Sequence, residues 1–219
     1  MAKASDVILV HGAWTDGSSW SKVIPLLVQA DLRPTAVQLP LTSLQDDVAT
    51  VKRAIALAAG PIVLVGHSYG GVVITEAGND PKVISLVHIA AFAPEAGESA
   101  GSLGTSVEAA PLAAEVRPDA QGFLKLTEAG MREAFAQDLD ESEKSILTAV
   151  QAPTAAAALG GAVSAVAWHR SGQIKLASAY LTHRSIQVIF SVSWAHQRSE
   201  RRRQSRPMGG YPDLKASAS

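Results

Sequence analysis

The chain has no cysteine among its 219 residues. That excludes disulfides, thiol nucleophiles and cysteine-ligated metals. No apolar run approaches the ~18–20 residues that a membrane span requires. No apolar leader precedes the first strand-like run either, so the expectation is a cytoplasmic protein without membrane contact. Neither sign of charge dominates: 19 Lys and Arg stand against 20 Asp and Glu, a net charge of -1, which argues against a nucleic-acid partner. The six histidines show no H-x-x-x-H or H-E-x-x-H spacing and no accompanying carboxylate cluster, so no metal site is expected. A phosphate-binding loop is missing too, since "GGAVSAVAW" at 160–168 lacks the lysine such a loop needs.

What is present suits one well-buried domain. The chain is 47% hydrophobic and 18% charged, too apolar for disorder and long enough for a single α/β core. Short Val- and Ile-rich runs alternate with helical patterns. "DVILVHG" (6–12), "RPTAVQLP" (33–40), "IVLVGHS" (62–68) and "VISLVHIAAFAP" (83–94) read as strands. "SSWSKVIPLLVQA" (18–30), "LQDDVATVKRAIALAA" (44–59) and "GGVVITEAGN" (70–79) read as helices. Such alternation builds βαβ units and a parallel sheet covered on both faces. Asp46 and Asp47 open the second helix, where they read as partners of its dipole. Residues 95–165 break the pattern and read as a helical insert over the strand ends, inside one domain that extends to residue 197. Residues 198–219 begin with "RSERRRQSR", a local balance of +4, and read as a basic, disordered tail because no aromatics interleave with the arginines.

One motif carries chemistry. "VGHSYGGV" at 65–72 holds G-x-S-x-G directly after a strand and at the start of a helix. In that setting Ser68 would occupy a nucleophile elbow, with glycines where side chains would strike neighbouring backbone. A serine hydroxyl needs a base, and the base an orienting acid, before it attacks at neutral pH. An oxyanion site is expected from the turn after the first strand, "VHGAW" at 10–14: His11 and Gly12 allow a sharp turn, and the Ala13 N–H would join the Tyr69 N–H.

Together "VILVHGAWTDGSSWSKVIPLL", "VGHSYGGVVITEA", "HIAAFAPEAGES" and "RPDAQGFLKL" resemble bacterial relatives of the plant methyl-ester esterase and hydroxynitrile lyase branch of the α/β-hydrolases, over roughly residues 5–169. The resemblance implies an α/β-hydrolase fold with a small helical cap, a Ser-Asp-His triad, no cofactor and small carboxylic esters as substrates. The expected activity is that of a serine carboxylesterase working through an acyl-serine. The alternatives are an impaired member of the fold, acting as a binder or a damaged gene product, and hydroxynitrile-lyase-type chemistry.

The C-terminal part departs from the family's pattern. The acid is expected after a late strand, here "ASAYLT", yet His183-Arg184-Ser185-Ile186 follows it, and no Asp lies between Asp140 and Asp213. No Gly-Ser-His supplies the usual histidine. With suitable synonymous codons, a shifted frame through "VIFSVSWA" can encode "DFQRLMG", and another through "SERRRQSRPMG" can encode "ANVVDSHAQW". The expectation is therefore a frameshifted C-terminal segment and an incomplete sheet, whose uncovered edge would favour homodimerisation. His183, closing a late strand, is the substitute base to consider. His196 lies in the doubtful segment, His169 reads as a surface residue, His67 as structural within the turn, and His88 as a core residue of its strand.

Overall fold

A computed structural model describes residues 4–105, 111–168 and, as backbone, 174–177. Five parallel strands form the main sheet: β1 (Asp6–Val10), β2 (Arg33–Ala36), β3 (Ile62–His67), β4 (Val83–Ile89) and β8 (Ile174–Ala177). Their order is β2-β1-β3-β4-β8. The chain thus runs outward from β1 to β2, crosses back over β1, and then builds away through β3 and β4.

Strand β1 shows why the sheet sits at the centre. Ile8 and Val10 pack with Leu64, Val72, Val73 and Ile74 on one face, while Val7 and Leu9 pack with Val65 and Trp20 on the other. Both sides of a two-residue repeat are apolar, which is the mark of a strand covered on both faces. Helices α2 (Leu44–Leu57) and α3 (Gly70–Ala77) cover the first face. The second carries α1 (Ile24–Gln29) and a 3₁₀ turn at Gly17–Trp20. The single helix expected over 18–30 is split there because Pro25 lacks an N–H and its ring would clash with the carbonyl one turn back, so it is tolerated only in the first turn of α1.

The insert between β4 and β8 differs from a purely helical cap. It has helices α4 (Ala100–Gly104), α5 (Glu141–Val150) and α6 (Ala156–Gly160), and a π-helical turn at Gly130–Phe135. It also holds an antiparallel sheet of β5 (Val116–Pro118), β6 (Phe123–Leu126) and β7 (Thr154–Ala155), in the order β5-β6-β7. The Trp14 N–H donates to Thr154 Oγ1 at 3.1 Å, its indole N–H donates to the Leu124 carbonyl at 3.1 Å, and the Ala155 N–H donates to the Leu41 carbonyl at 2.8 Å. These bonds fasten the insert to the loops that leave the C-terminal ends of β1 and β2. The chain returns to the sheet through Ala167, whose N–H donates to the Thr75 carbonyl.

The run "IKLASAYLTHRSIQVIFSVSW" reads as one or two strands, and β8 is Ile174–Ala177 at its start, paired in parallel with Leu86–Ile89. Everything expected of residues 178–219, including the frameshifted segment and the basic tail, lies outside the described residues, as do His169, His183 and His196. Among the described residues no helix is long and apolar enough to cross a membrane.

Candidate active site

Ser68 stands between β3 and α3 with φ of 52°. A left-handed backbone at a residue with a Cβ costs about 1–3 kcal/mol and persists only where the surroundings enforce it. Here the Ser68 N–H donates to the Ile89 carbonyl at 3.3 Å, and the Ser68 carbonyl accepts from Gly71 N–H at 3.0 Å and Phe92 N–H at 3.2 Å. The turn is clamped between α3 and the end of β4. A Cβ on Gly70 would stand 2.5 Å from the Val10 carbonyl oxygen, and one on Gly66 would stand 2.5 Å from the Gly70 carbonyl oxygen. Only glycine lets strand, turn and helix approach this closely.

The turn after β1 meets Ser68 directly, since a Cβ on Gly12 would lie 3.0 Å from the Ser68 Cβ. His11 fixes the orientation of this turn. The Leu39 N–H donates to His11 Nε2 at 3.0 Å, so the opposite nitrogen carries the proton and donates to the Gly12 carbonyl at 2.8 Å. Thr15 Oγ1 donates to the same carbonyl at 3.2 Å. In a planar trans peptide the N–H points opposite the carbonyl, so the Ala13 N–H faces away from His11 and Thr15. Among the described residues neither the Ala13 N–H nor the Tyr69 N–H has an acceptor. Tyr69 is also the N-cap of α3, with no side-chain cap, so the helix dipole adds to the positive potential there.

His11, Gly12, Ala13, Ser68 and Tyr69 are therefore gathered at one spot. His183 lies outside the described residues. Of the three described histidines, His11 and His88 are engaged elsewhere. Both His11 nitrogens are engaged, and burial holds its pKa below the ordinary value. Burial, helped by nearby His11, lowers that of His67, whose Nδ1 would be 3.3 Å from a Cβ on Gly12. His88 is 2% exposed and reaches Thr75 Oγ1 from Nε2 at 3.2 Å. Because that hydroxyl donates to the Gly71 carbonyl, it accepts from His88. Burial pushes the His88 pKa down to about 4.

Asp47 departs from its expected role. Asp46 does serve the start of α2, accepting from Ser43 and Thr42 hydroxyls. Asp47 is instead fully buried, accepting from Tyr69 Oη at 2.7 Å and Leu41 N–H at 2.9 Å. Burial raises its pKa. Its position carries a signal: the apolar stripe of α2 runs Leu44, Val48, Val51, Ile55, and a residue three after Leu44 and four before Val51 faces inward with them. Trp14, the last residue of "VHGAW", joins the site to the insert. With φ of 60° it stacks edge-on against Phe135 of the insert, ring centres 6.5 Å apart.

The family model described as "Alpha/beta hydrolase family" matches residues 7–212. A carbendazim hydrolyzing esterase of Nocardioides sp. (strain SG-4G) is 35% identical over 109 residues, 43% of this chain and 45% of that relative. The matching region thus spans less than half of the relative's length. A solved pyrethroid hydrolase superposes with a TM-score of 0.58 at 26% identity, covering 64% of each chain. Tomato methylketone synthase I, of the plant branch, superposes with a TM-score of 0.68 at 17% identity over 84% of this chain and 81% of its own.

Proposed function

The chain belongs to the alpha/beta hydrolase family, and we propose that it hydrolyses small carboxylic esters through an acyl-serine formed on Ser68. The observation that carries this reading is the strained Ser68 turn, pressed against Gly12 and flanked by two backbone N–H groups without acceptors among the described residues. Ser68 Oγ adds to the ester carbonyl carbon and gives up its proton to a base. The developing oxyanion is held by the Ala13 and Tyr69 N–H groups. Collapse expels the alcohol, which takes the proton back, and water then cleaves the acyl-serine by the same steps. Ester and water become acid and alcohol, with no cofactor required. The esterase and hydrolase names of the relatives support the substrate class.

His11 and His88 are held by hydrogen bonds of their own, and the base is assigned to a histidine beyond residue 168. His183 is our assignment. β8 pairs with β4 up to Ala177 opposite Ile89, and the Ile89 carbonyl accepts the Ser68 N–H. The chain therefore leaves β8 on the edge of the sheet that carries Ser68.

The test is hydrolysis of a series of p-nitrophenyl acyl esters by wild type, Ser68→Ala and His183→Ala. The proposal expects saturable turnover of the short acyl esters, loss of it in both variants, and an acyl adduct on Ser68 in acid-quenched wild type. Turnover that survives Ser68→Ala would overturn the serine assignment. A folded wild type without turnover would favour the impaired member instead.

A further inference from the structure

Resting on the Ser68 reading, the geometry points to Asp47 as the positioning residue for the Tyr69 N–H, acting through the buried Tyr69 ring and a strut in the β2–α2 loop that also holds the Ala13 peptide and the cap. The Tyr69 side chain is 1% exposed. Its hydroxyl, at the far end of the ring from the peptide that would face the oxyanion, is held by Asp47 Oδ2 at 2.7 Å. The Ser68 carbonyl, which shares a peptide with the Tyr69 N–H, is held by the Gly71 and Phe92 N–H groups, while Tyr69 itself caps α3 without a side-chain bond to the helix. Anchoring the ring tip therefore adds a second support on the Tyr69 side of that peptide.

The other oxygen of Asp47 takes the Leu41 N–H at 2.9 Å. Two residues earlier on the same loop, the Leu39 N–H bonds His11 Nε2, and His11 in turn holds the Gly12 carbonyl, which sets the Ala13 N–H. One short segment thus backs both oxyanion donors, each through a single buried side chain. Leu41 has φ of 56°, a strained conformation that these bonds enforce. Its carbonyl accepts from Ala155 N–H at 2.8 Å, so the segment that sets the donors also anchors β7 of the cap. The β7 anchor and the Tyr69 donor thus meet at Leu41.

An amide can replace the carboxylate here. With Asp47→Asn, the side-chain oxygen accepts from Leu41 and the amide N–H₂ donates to the Tyr69 hydroxyl. Asp47→Ala and Tyr69→Phe each break the link, and Tyr69→Phe does so without opening a cavity on α2. Oxyanion donors act on the transition state more than on bound ester, so misaligning one is read in kcat. Complete loss of such a donor costs about 10²–10³ in kcat, and misalignment should cost about tenfold.

The experiment measures p-nitrophenyl acetate kinetics and ¹⁵N–¹H spectra of wild type, Asp47→Asn, Asp47→Ala and Tyr69→Phe. Expected are a kcat lowered about tenfold in Tyr69→Phe and Asp47→Ala with KM within about twofold, and recovery to within about threefold in Asp47→Asn. The Tyr69 and Ala13 amide resonances should shift or broaden in the two breaking variants and stay in place in Asp47→Asn. Unchanged kcat and unchanged amides in a folded Tyr69→Phe would overturn the positioning role. So would a loss in Asp47→Asn as large as in Asp47→Ala. Should wild type not turn over ester, the Ser68 reading fails on kinetics, while the amide spectra still decide whether Asp47 sets the Tyr69 peptide.

Discussion

The two ends of the same parallel sheet are built on opposite principles. At the N-terminal end, Arg33 of β2 forks onto Asp6 of β1, with Nε 3.0 Å from Oδ1 and one terminal nitrogen 2.7 Å from Oδ2, and the Gly60 N–H and Ser5 hydroxyl add to the same carboxylate. Arg33 holds the Asp6 carboxyl down to about 2. Among the described residues flanking β1 to β4, Asp31, two residues before β2, carries the positive φ at this end, 58°. At the C-terminal end, Trp14, Leu41, Ser68 and Ala90 all carry positive φ just beyond β1, β2, β3 and β4. There burial lowers the pKa of His11, His67 and His88, and two N–H groups have no acceptor among the described residues. One end is closed by an ion pair; the other gathers most of the backbone strain beside unspent hydrogen-bonding capacity, as a site poised to bind charge requires.

That contrast can be broken at several points. The largest effect belongs to Ser68→Ala, which should lower ester turnover by about 10⁴-fold or more while moving stability by no more than about 0.5 kcal/mol, as read by initial rates and urea melts. Gly70→Ala should cost about 3 kcal/mol because its Cβ meets backbone oxygens of Val10 and His11. The same change at Gly104, where nothing lies within 4 Å, should be neutral or stabilise α4 by about 0.5–1 kcal/mol. Chemical denaturation of the pair separates them.

Acid should act on the two ends in different windows. His88 titrates near 6.5 when unfolded and about 4 when folded. Its neutral form therefore supports the fold fully above pH 6.5, and that support drains away as pH falls to 4, by about 3 kcal/mol. His88→Gln should flatten the stability profile between pH 6.5 and 4. Asp6 supplies its support above the ordinary carboxylate range and loses it only as pH falls through about 2. The smallest effect is Arg33→Met. With that side chain 59% exposed, solvent screens the pair, so urea melts should show only a slight loss of stability and initial rates no change in ester turnover.

These two ends were not equally legible in the sequence. β1, β3 and β4 could be read because runs such as "DVILV" are apolar on both faces, and the Ser68 turn because strand, G-x-S-x-G and helix follow in order. The glycines there are spatial requirements that a motif records. Asp47 reads as a dipole partner because an Asp-Asp pair at a helix start has an ordinary electrostatic explanation, and only its register with Leu44 and Val51 marks it as buried. The strands of the cap run two to four residues, too short for alternation to show, and they are held by contacts to Trp14 and Leu41 far away in sequence. Pro25 was a visible signal that the helix over 18–30 would break.

The most direct test of the account is intact-mass spectrometry of the protein before and after exposure to a fluorophosphonate, with Ser68→Ala alongside. The account predicts one phosphonyl adduct, formed rapidly on wild type and absent from the folded Ser68→Ala variant. A folded wild type that stays unlabelled, or a variant that labels equally well, would contradict it.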